Sequence, residues 1–103
     1  MLDRIRFAPE AERDVAEAYA WYEAISPGLG EDFLRCVEAI LPTIERHPEI
    51  FPIAEAPFRQ VMIRRFPFQI FYAPFGEDIT IYAVFHCSQH PDRWRLRLPD
   101  GND

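Results

Sequence analysis

The chain contains no lysine. All eleven of its basic residues are arginine, set against seventeen acids, for a formal net charge of −6. That balance makes a poor non-specific nucleic-acid binder, because such affinity is driven by cations neutralising phosphate. Cysteine is scarce as well. Cys36 and Cys87 are too few and too far apart for a disulfide framework and read as free thiols. No apolar run approaches the roughly 18 residues of a membrane helix. Met1-Leu2-Asp3-Arg4 lacks the basic and long apolar regions of a secretion signal. The expectation is a cytoplasmic protein with no membrane contact. Repeats and low-complexity segments are absent too.

What is present is enough for a real core. The 103 residues are 49% hydrophobic and 15% aromatic, the size of one domain. Residues 1–98 are expected to form it, with a frayed tail at 99–103. Residues 2–7 alternate, Ile5 and Phe7 against Arg4 and Arg6, as a half-buried strand does. Pro9 then opens a helix with Glu10 and Glu12 at its positive end. Ala11, Val15, Ala18, Tyr22 and Ile25 recur as its apolar stripe, and Ser26-Pro27-Gly28 ends it. A second helix over 30–47 carries Phe33, Val37, Ile40, Leu41 and Ile44, with a kink or break expected near Pro42. After a proline-containing loop at 49–57, strands are expected at 59–66, 68–73 and 79–85, with a hairpin turn at Phe75-Gly76-Glu77-Asp78. This β-α-α-β-β-β order implies an α+β domain: an N-terminal strand, an antiparallel helical hairpin, then a three-stranded antiparallel meander.

Charge is uneven along this plan. Residues 1–50 hold eleven acids and five arginines, whereas residues 51–103 hold six of each. The acids of the first helix (Glu10, Glu12, Asp14, Glu17, Glu23) read most simply as a solvated face. The last strand leads into His86-Cys87-Ser88-Gln89-His90-Pro91-Asp92-Arg93-Trp94-Arg95-Leu96-Arg97. Arginine at every second position around Trp94 suits recognition of anions, carboxylates or nucleic acid. His86, Cys87 and His90 lack a fourth ligand and a ligating register, so no metal is assigned. Cys87 and His86 are strand neighbours pointing to opposite faces, which argues against a thiol–imidazole pair. A strand-end hydrogen bond is the simpler role for His86. Trp21 lies about 100° around the helix from Tyr22, either at the helix–sheet margin or as an exposed anchor for a partner.

Several blocks together resemble the RelE/ParE superfamily of type II toxin–antitoxin toxins. They are Ala18-Tyr19-Ala20-Trp21-Tyr22-Glu23, Gly28-Leu29-Gly30-Glu31-Asp32-Phe33, His47-Pro48-Glu49, Arg64-Arg65-Phe66-Pro67-Phe68-Gln69-Ile70-Phe71-Tyr72, and Val84-Phe85-His86 followed by Pro91 and Trp94. The resemblance spans residues 5–97 and is nearer the ParE and plasmid-stabilisation branch than RelE. It implies a toxin encoded beside an antitoxin that wraps it with a segment folding on binding. ParE-type toxins poison DNA gyrase, whereas RelE-type toxins cut mRNA on the ribosome. The two share a fold, so the fold does not choose between them.

The residues favour the first activity. RelE-type enzymes use arginines, lysines and a C-terminal tyrosine. Here Gln69 and Gln89 fall where arginines are expected, no tyrosine follows Tyr82, and there is no lysine to dock ribosomal RNA. A stoichiometric gyrase inhibitor needs no catalytic group, cofactor or small-molecule substrate. The remaining nuclease candidates are His86 and His90 as proton carriers, with Arg65 and Arg93 for phosphate. A third reading is an inactive relative that only binds antitoxin. The antitoxin- or target-binding face is expected to draw on Arg59, Arg65, Arg93, Trp94, Arg95, Arg97 and Trp21, docking an acidic amphipathic segment. Arg64 and Arg65 are expected on opposite sides of one strand, and Trp94 is expected to be buried on complex formation.

Overall fold

The computed structural model describes residues 4–88 and 91–98, and for Pro91, Asp92 and Trp94 the backbone alone. The expected tail at 99–103, Gln89 and His90 lie outside the described residues.

Strand β1 (Ile5–Phe7) leads into helix α1 (Pro9–Ile25), which starts on Pro9 without a side-chain cap and ends where the Ser26 N–H donates to the Tyr22 carbonyl. Helix α2 (Leu29–Arg46) follows directly. The reversal is held by Glu23, whose carboxylate accepts the N–H groups of Gly28 at 2.9 Å and Gly30 at 3.0 Å. Gly28 has φ 90°, a backbone conformation that favours glycine. At Gly30 a Cβ would lie 2.7 Å from the Tyr19 carbonyl oxygen, so the two helices cross at hydrogen-atom contact. Pro42 does not break α2, which runs on to Arg46, and the proline itself is exposed.

The sheet corrects the expected three-stranded meander. It has five strands in the order β1-β5-β4-β3-β2, built from β2 (Ile53–Glu55), β3 (Phe58–Met62), β4 (Phe68–Phe75) and β5 (Asp78–His86). It is mixed: β1 runs parallel to β5, with Ile5 opposite Ile79, and the other pairs are antiparallel. Strand β2 falls in the expected loop. The run expected as one strand over 59–66 ends at Met62. Arg64 and Arg65 therefore do not face opposite sides of a strand: both are exposed in a tight turn, with Arg65 at φ 73° and the Ile63 N–H donating to the Phe68 carbonyl. Pro74 stays in the ladder opposite Ile79 because the Ile79 N–H points to the other side, onto the Arg4 carbonyl at 2.8 Å.

The helical hairpin covers one sheet face. Phe33, Val37, Leu41 and Ile44 of α2 and Ala11 and Ala18 of α1 meet Phe68, Ile70, Tyr72, Ile79, Ile81 and Val84. Tyr22 packs edge-on to Phe66 and Phe68 and tilted at 33° to Phe33, and burial raises its pKa above the usual phenol value. Ile25 departs from the expected stripe and is exposed. On the other sheet face a smaller cluster of Phe71, Ala83 and Phe85 is closed by Ala54 and Leu98. Residues 91–97 are a helix, α3 (Pro91–Arg97), where the sequence pattern reads as an alternating arginine tail. Cys36 and Cys87 are free thiols, as expected. No helix among the described residues is long and apolar enough to cross a membrane.

Candidate partner-binding groove

A bulge in the β4–β5 ladder sets up the site. Phe71 faces Ala83 and Tyr72 faces Ile81, leaving Tyr82 as the extra residue. The alternation of β5 shifts there, so Val84 and His86, not Ala83 and Phe85, turn to the helical side. Strand β1 covers β5 only as far as Ile81. The remaining edge of β5 opens into a groove of about 740 Å³ between α1 and α3. Asp14, Glu17, Ala18 and Trp21 line it from α1, Phe68 and Val84 to His86 from the sheet, and Arg93, Leu96 and Arg97 from α3.

Asp14 and Arg97 tie the two helical walls of this groove together. The Asp14 carboxylate accepts the Val84 N–H at 3.0 Å, satisfying an edge strand that lacks a neighbour, and accepts Arg97 Nη2 at 2.6 Å. Arg97 also donates to the Glu10 carbonyl at 3.0 Å and lies 4.9 Å over the Phe85 ring. These side chains are only 13% and 26% exposed. The Nε of Arg97 is buried with no hydrogen-bond partner among the described residues. Asp14 is thus not part of a solvated face. Ala11, Asp14, Ala18 and Trp21 follow one another at spacings of three and four, so Asp14 and Trp21 share a helix flank beside the buried stripe. That spacing was the signal available in the sequence.

The arginines expected to form one face are divided. On a helix, positions two apart point to different sides, so Arg93 and Arg97 enter the groove while Arg95 pairs with Glu55 of β2 at 3.6 Å. Arg59 is turned inward. Its guanidinium donates to the carbonyls of Glu49 at 3.1 Å and Phe51 at 2.7 Å, and pins the 47–52 loop beside Tyr72. The Tyr72 hydroxyl donates to the Pro48 carbonyl at 2.6 Å, and burial pushes its pKa up to about 12. Arg65 shares the Asp32 carboxylate with Arg35, at 3.3 and 3.8 Å, outside the groove. Trp21 is the groove's exposed aromatic, with 68% of its surface accessible, and Leu96 is 88% exposed on the opposite rim. The side chain of Trp94 lies outside the described residues.

His86 makes the strand-end bond expected of it. Its Nδ1 accepts the Ser88 N–H at 3.0 Å, with the Ser88 hydroxyl 2.7 Å away, so a neutral ring carries its proton on Nε2. The ring stands edge-on to Phe68 at 5.2 Å. Among the described residues, no three His, Cys, Asp or Glu side chains gather as a metal site requires. The groove therefore offers apolar surface, an indole, and a central cation, Arg97, already engaged by a carboxylate and a carbonyl.

Comparison with known proteins supplies a family for this arrangement. A family model described as the ParE toxin of the type II toxin–antitoxin system parDE matches residues 5–91. The chain is 27% identical over 93 residues to Toxin ParE2 of Mycobacterium tuberculosis, in the CDC 1551 / Oshkosh and H37Rv strains, covering 89% of each chain. Its fold is similar to a solved structure described as a chromosomal ParDE system from P. aeruginosa. That match has TM-score 0.60 and 18% identity, covering 80% of this chain and 92% of the other.

Proposed function

The chain belongs to the ParE toxin family of type II toxin–antitoxin systems, and from that premise we propose that it acts in the cytoplasm as a stoichiometric inhibitor of DNA gyrase, neutralised by a cognate antitoxin seated in the β5-edge groove. The family itself implies an antitoxin protein as partner. The observation that carries the reading is the groove. It places an exposed indole, Trp21, opposite Leu96 across an apolar floor, and its central charges are spent on each other. Such a site suits an amphipathic segment that lays down apolar side chains. Its central cation, Arg97, is already engaged and not free to meet the charge that develops on a phosphorane, which leaves Arg93 alone for that role.

The test of the target is a cleavage assay with purified gyrase, plasmid, ATP and the antitoxin-free protein. Linear plasmid with protein-linked ends is the expected product. No cleavage by folded protein refutes gyrase poisoning. The test of the groove is Trp21→Ala, expected to weaken antitoxin binding roughly thirtyfold, as truncating a central aromatic anchor does. Unchanged affinity moves the antitoxin elsewhere.

One feature favours a second reading, ribosome-dependent mRNA cleavage: His86, Arg93 and Arg97 line the same groove. In that reading His86 exchanges the proton and Arg93 meets phosphate, and His86→Ala abolishes growth arrest. Full toxicity of His86→Ala, together with intact mRNA, removes it.

A further inference from the structure

The β4–β5 hairpin ends on Phe75, 87% exposed, at the opposite end of β5 from the groove. Strand β5 is nine residues long, roughly 26 Å at the usual strand rise. We propose that Phe75, collared by Glu77 and Asp78, is the anchor by which this protein docks on its cellular target, a protein surface offering an apolar socket with a basic rim. This rests on the reading above that the chain is a toxin whose antitoxin sits in the groove.

A single exposed apolar residue is ordinary on a protein surface. Phe75 differs in how rigidly it is presented. It is the last residue of the ladder, paired with Asp78 across a two-residue loop whose first member, Gly76, takes φ 61°. Arg4 ties that loop to the body. Its Nε donates to the Glu77 carbonyl, its Nη1 to the Glu45 carbonyl at 3.1 Å, and its own N–H to the Glu45 carboxylate at 3.1 Å. The Ile79 N–H completes the clamp on the Arg4 carbonyl. The turn is therefore fixed both to β1 and to the end of α2. An anchor held in place before binding loses little conformational freedom on docking, so more of its burial appears as affinity.

The chemistry around the tip also differs from that of the groove. Trp21 sits in a setting of mixed charge, near Arg93 and Arg97 as well as Asp14 and Glu17. Phe75 sits beside two exposed carboxylates, while the nearby guanidinium of Arg4 is taken up by backbone carbonyls. An apolar knob with an acidic collar complements an apolar socket with a basic rim. A partner seated in the groove leaves this tip uncovered, so it blocks the target by its bulk and not by burying Phe75.

The test compares growth arrest on induced expression of the wild type, Phe75→Ser, Phe75→Leu and Glu77→Arg, at matched levels of folded protein, with co-purification of the antitoxin as a second readout. Phe75→Ser is expected to need roughly thirtyfold more protein for the same arrest, the loss typical of a truncated anchor. Phe75→Leu should stay within about threefold of wild type, and Glu77→Arg should lose about tenfold, with antitoxin capture intact in all three. Phe75→Ser arresting growth like the wild type overturns the proposal and leaves the toxin reading standing. Loss of antitoxin capture in Phe75→Ser also overturns it, because the tip then belongs to the antitoxin interface. A wild type that arrests nothing overturns the toxin reading and this proposal with it.

Discussion

Removing the Asp14 carboxylate should unlatch α3 and unsettle the groove at once. In Asp14→Ala the Val84 N–H loses its acceptor, and the Arg97 guanidinium loses its counter-charge while remaining packed on Phe85. An orphaned buried donor costs about 1–3 kcal/mol. Breaking a fully buried ion pair costs about 3–5 kcal/mol. At 13% and 26% exposure the pair is only partly desolvated, so the lower ends of both ranges apply. The expected loss is about 4 kcal/mol, or a fall in Tm of roughly 20 °C for a domain of this size. Asp14→Asn keeps an oxygen for Val84 and should cost about half as much.

The assay is urea denaturation followed by far-UV circular dichroism, run on Asp14→Ala, Arg97→Ala and the double variant. The double-mutant cycle should return a coupling of about 1–3 kcal/mol. Raising salt from 0.1 to 1 M should change that coupling little, because partly buried pairs are weakly screened. Arg35→Ala, which removes an exposed partner of Asp32, is the control and should stay within about 0.5 kcal/mol. A loss below about 1 kcal/mol for Asp14→Ala, or a coupling that vanishes in salt, refutes the claim that this pair organises the groove.

Two further outcomes follow from the core. Tyr72 has its pKa raised to about 12 by burial, so the folded state holds that proton more tightly than the unfolded state. The associated stability is complete below pH 10 and is lost as pH rises towards 12, by about 3 kcal/mol in all. The chain has no lysine to titrate in that window, and Tyr72→Phe should make the decline in denaturation midpoints between pH 10 and 12 shallower, leaving the part due to Tyr22, whose pKa burial also raises. An equally steep decline in Tyr72→Phe would show that another group controls alkaline unfolding. Gly30→Ala places a Cβ 2.7 Å from the Tyr19 carbonyl oxygen. It should destabilise by roughly 2 kcal/mol despite the better helix propensity of alanine; a higher Tm would mean that the helices separate at little cost.

The helical hairpin was legible because its signals are local: a 3.6-residue stripe, proline at the start of α1, and Ser26-Pro27-Gly28 between the helices. Where the sequence misleads, the deciding feature leaves no periodic pattern. Strand β2 is three residues between Pro52 and Pro57, too short for a periodicity, and exists because β3 pairs with it. The apolar character of Ile63 and Phe66 extends β3 on paper, but Arg65 turns to positive φ there, and nothing in an arginine announces that. The alternating arginines of 93–97 look like a strand or tail until the helix separates Arg95 from Arg93 and Arg97. The latch itself joins residues 83 positions apart, and no local pattern reaches so far.

The bulge at Tyr82 connects these failures to function. Without it the alternation of Ile79 and Ile81 would continue through Ala83 and Phe85, and both would face α1 where Val84 and His86 now do. The Val84 N–H would then point away from Asp14, and the Asp14–Arg97 pair that ties α3 to α1 would no longer be anchored to the β5 backbone. One extra residue in a ladder thus decides which side chains floor the groove and what closes it. The same ladder, followed in the other direction, runs in unbroken register from Ile81 to Asp78 and delivers Phe75 to its tip. Deleting Tyr82 should therefore separate the two ends: the hairpin tip keeps its register, while the groove is rebuilt with the wrong face inward. A protein that keeps Phe75-dependent growth arrest but no longer captures antitoxin is the outcome that ties each end of β5 to its own partner. Loss of both together would mean that the two ends serve one interface.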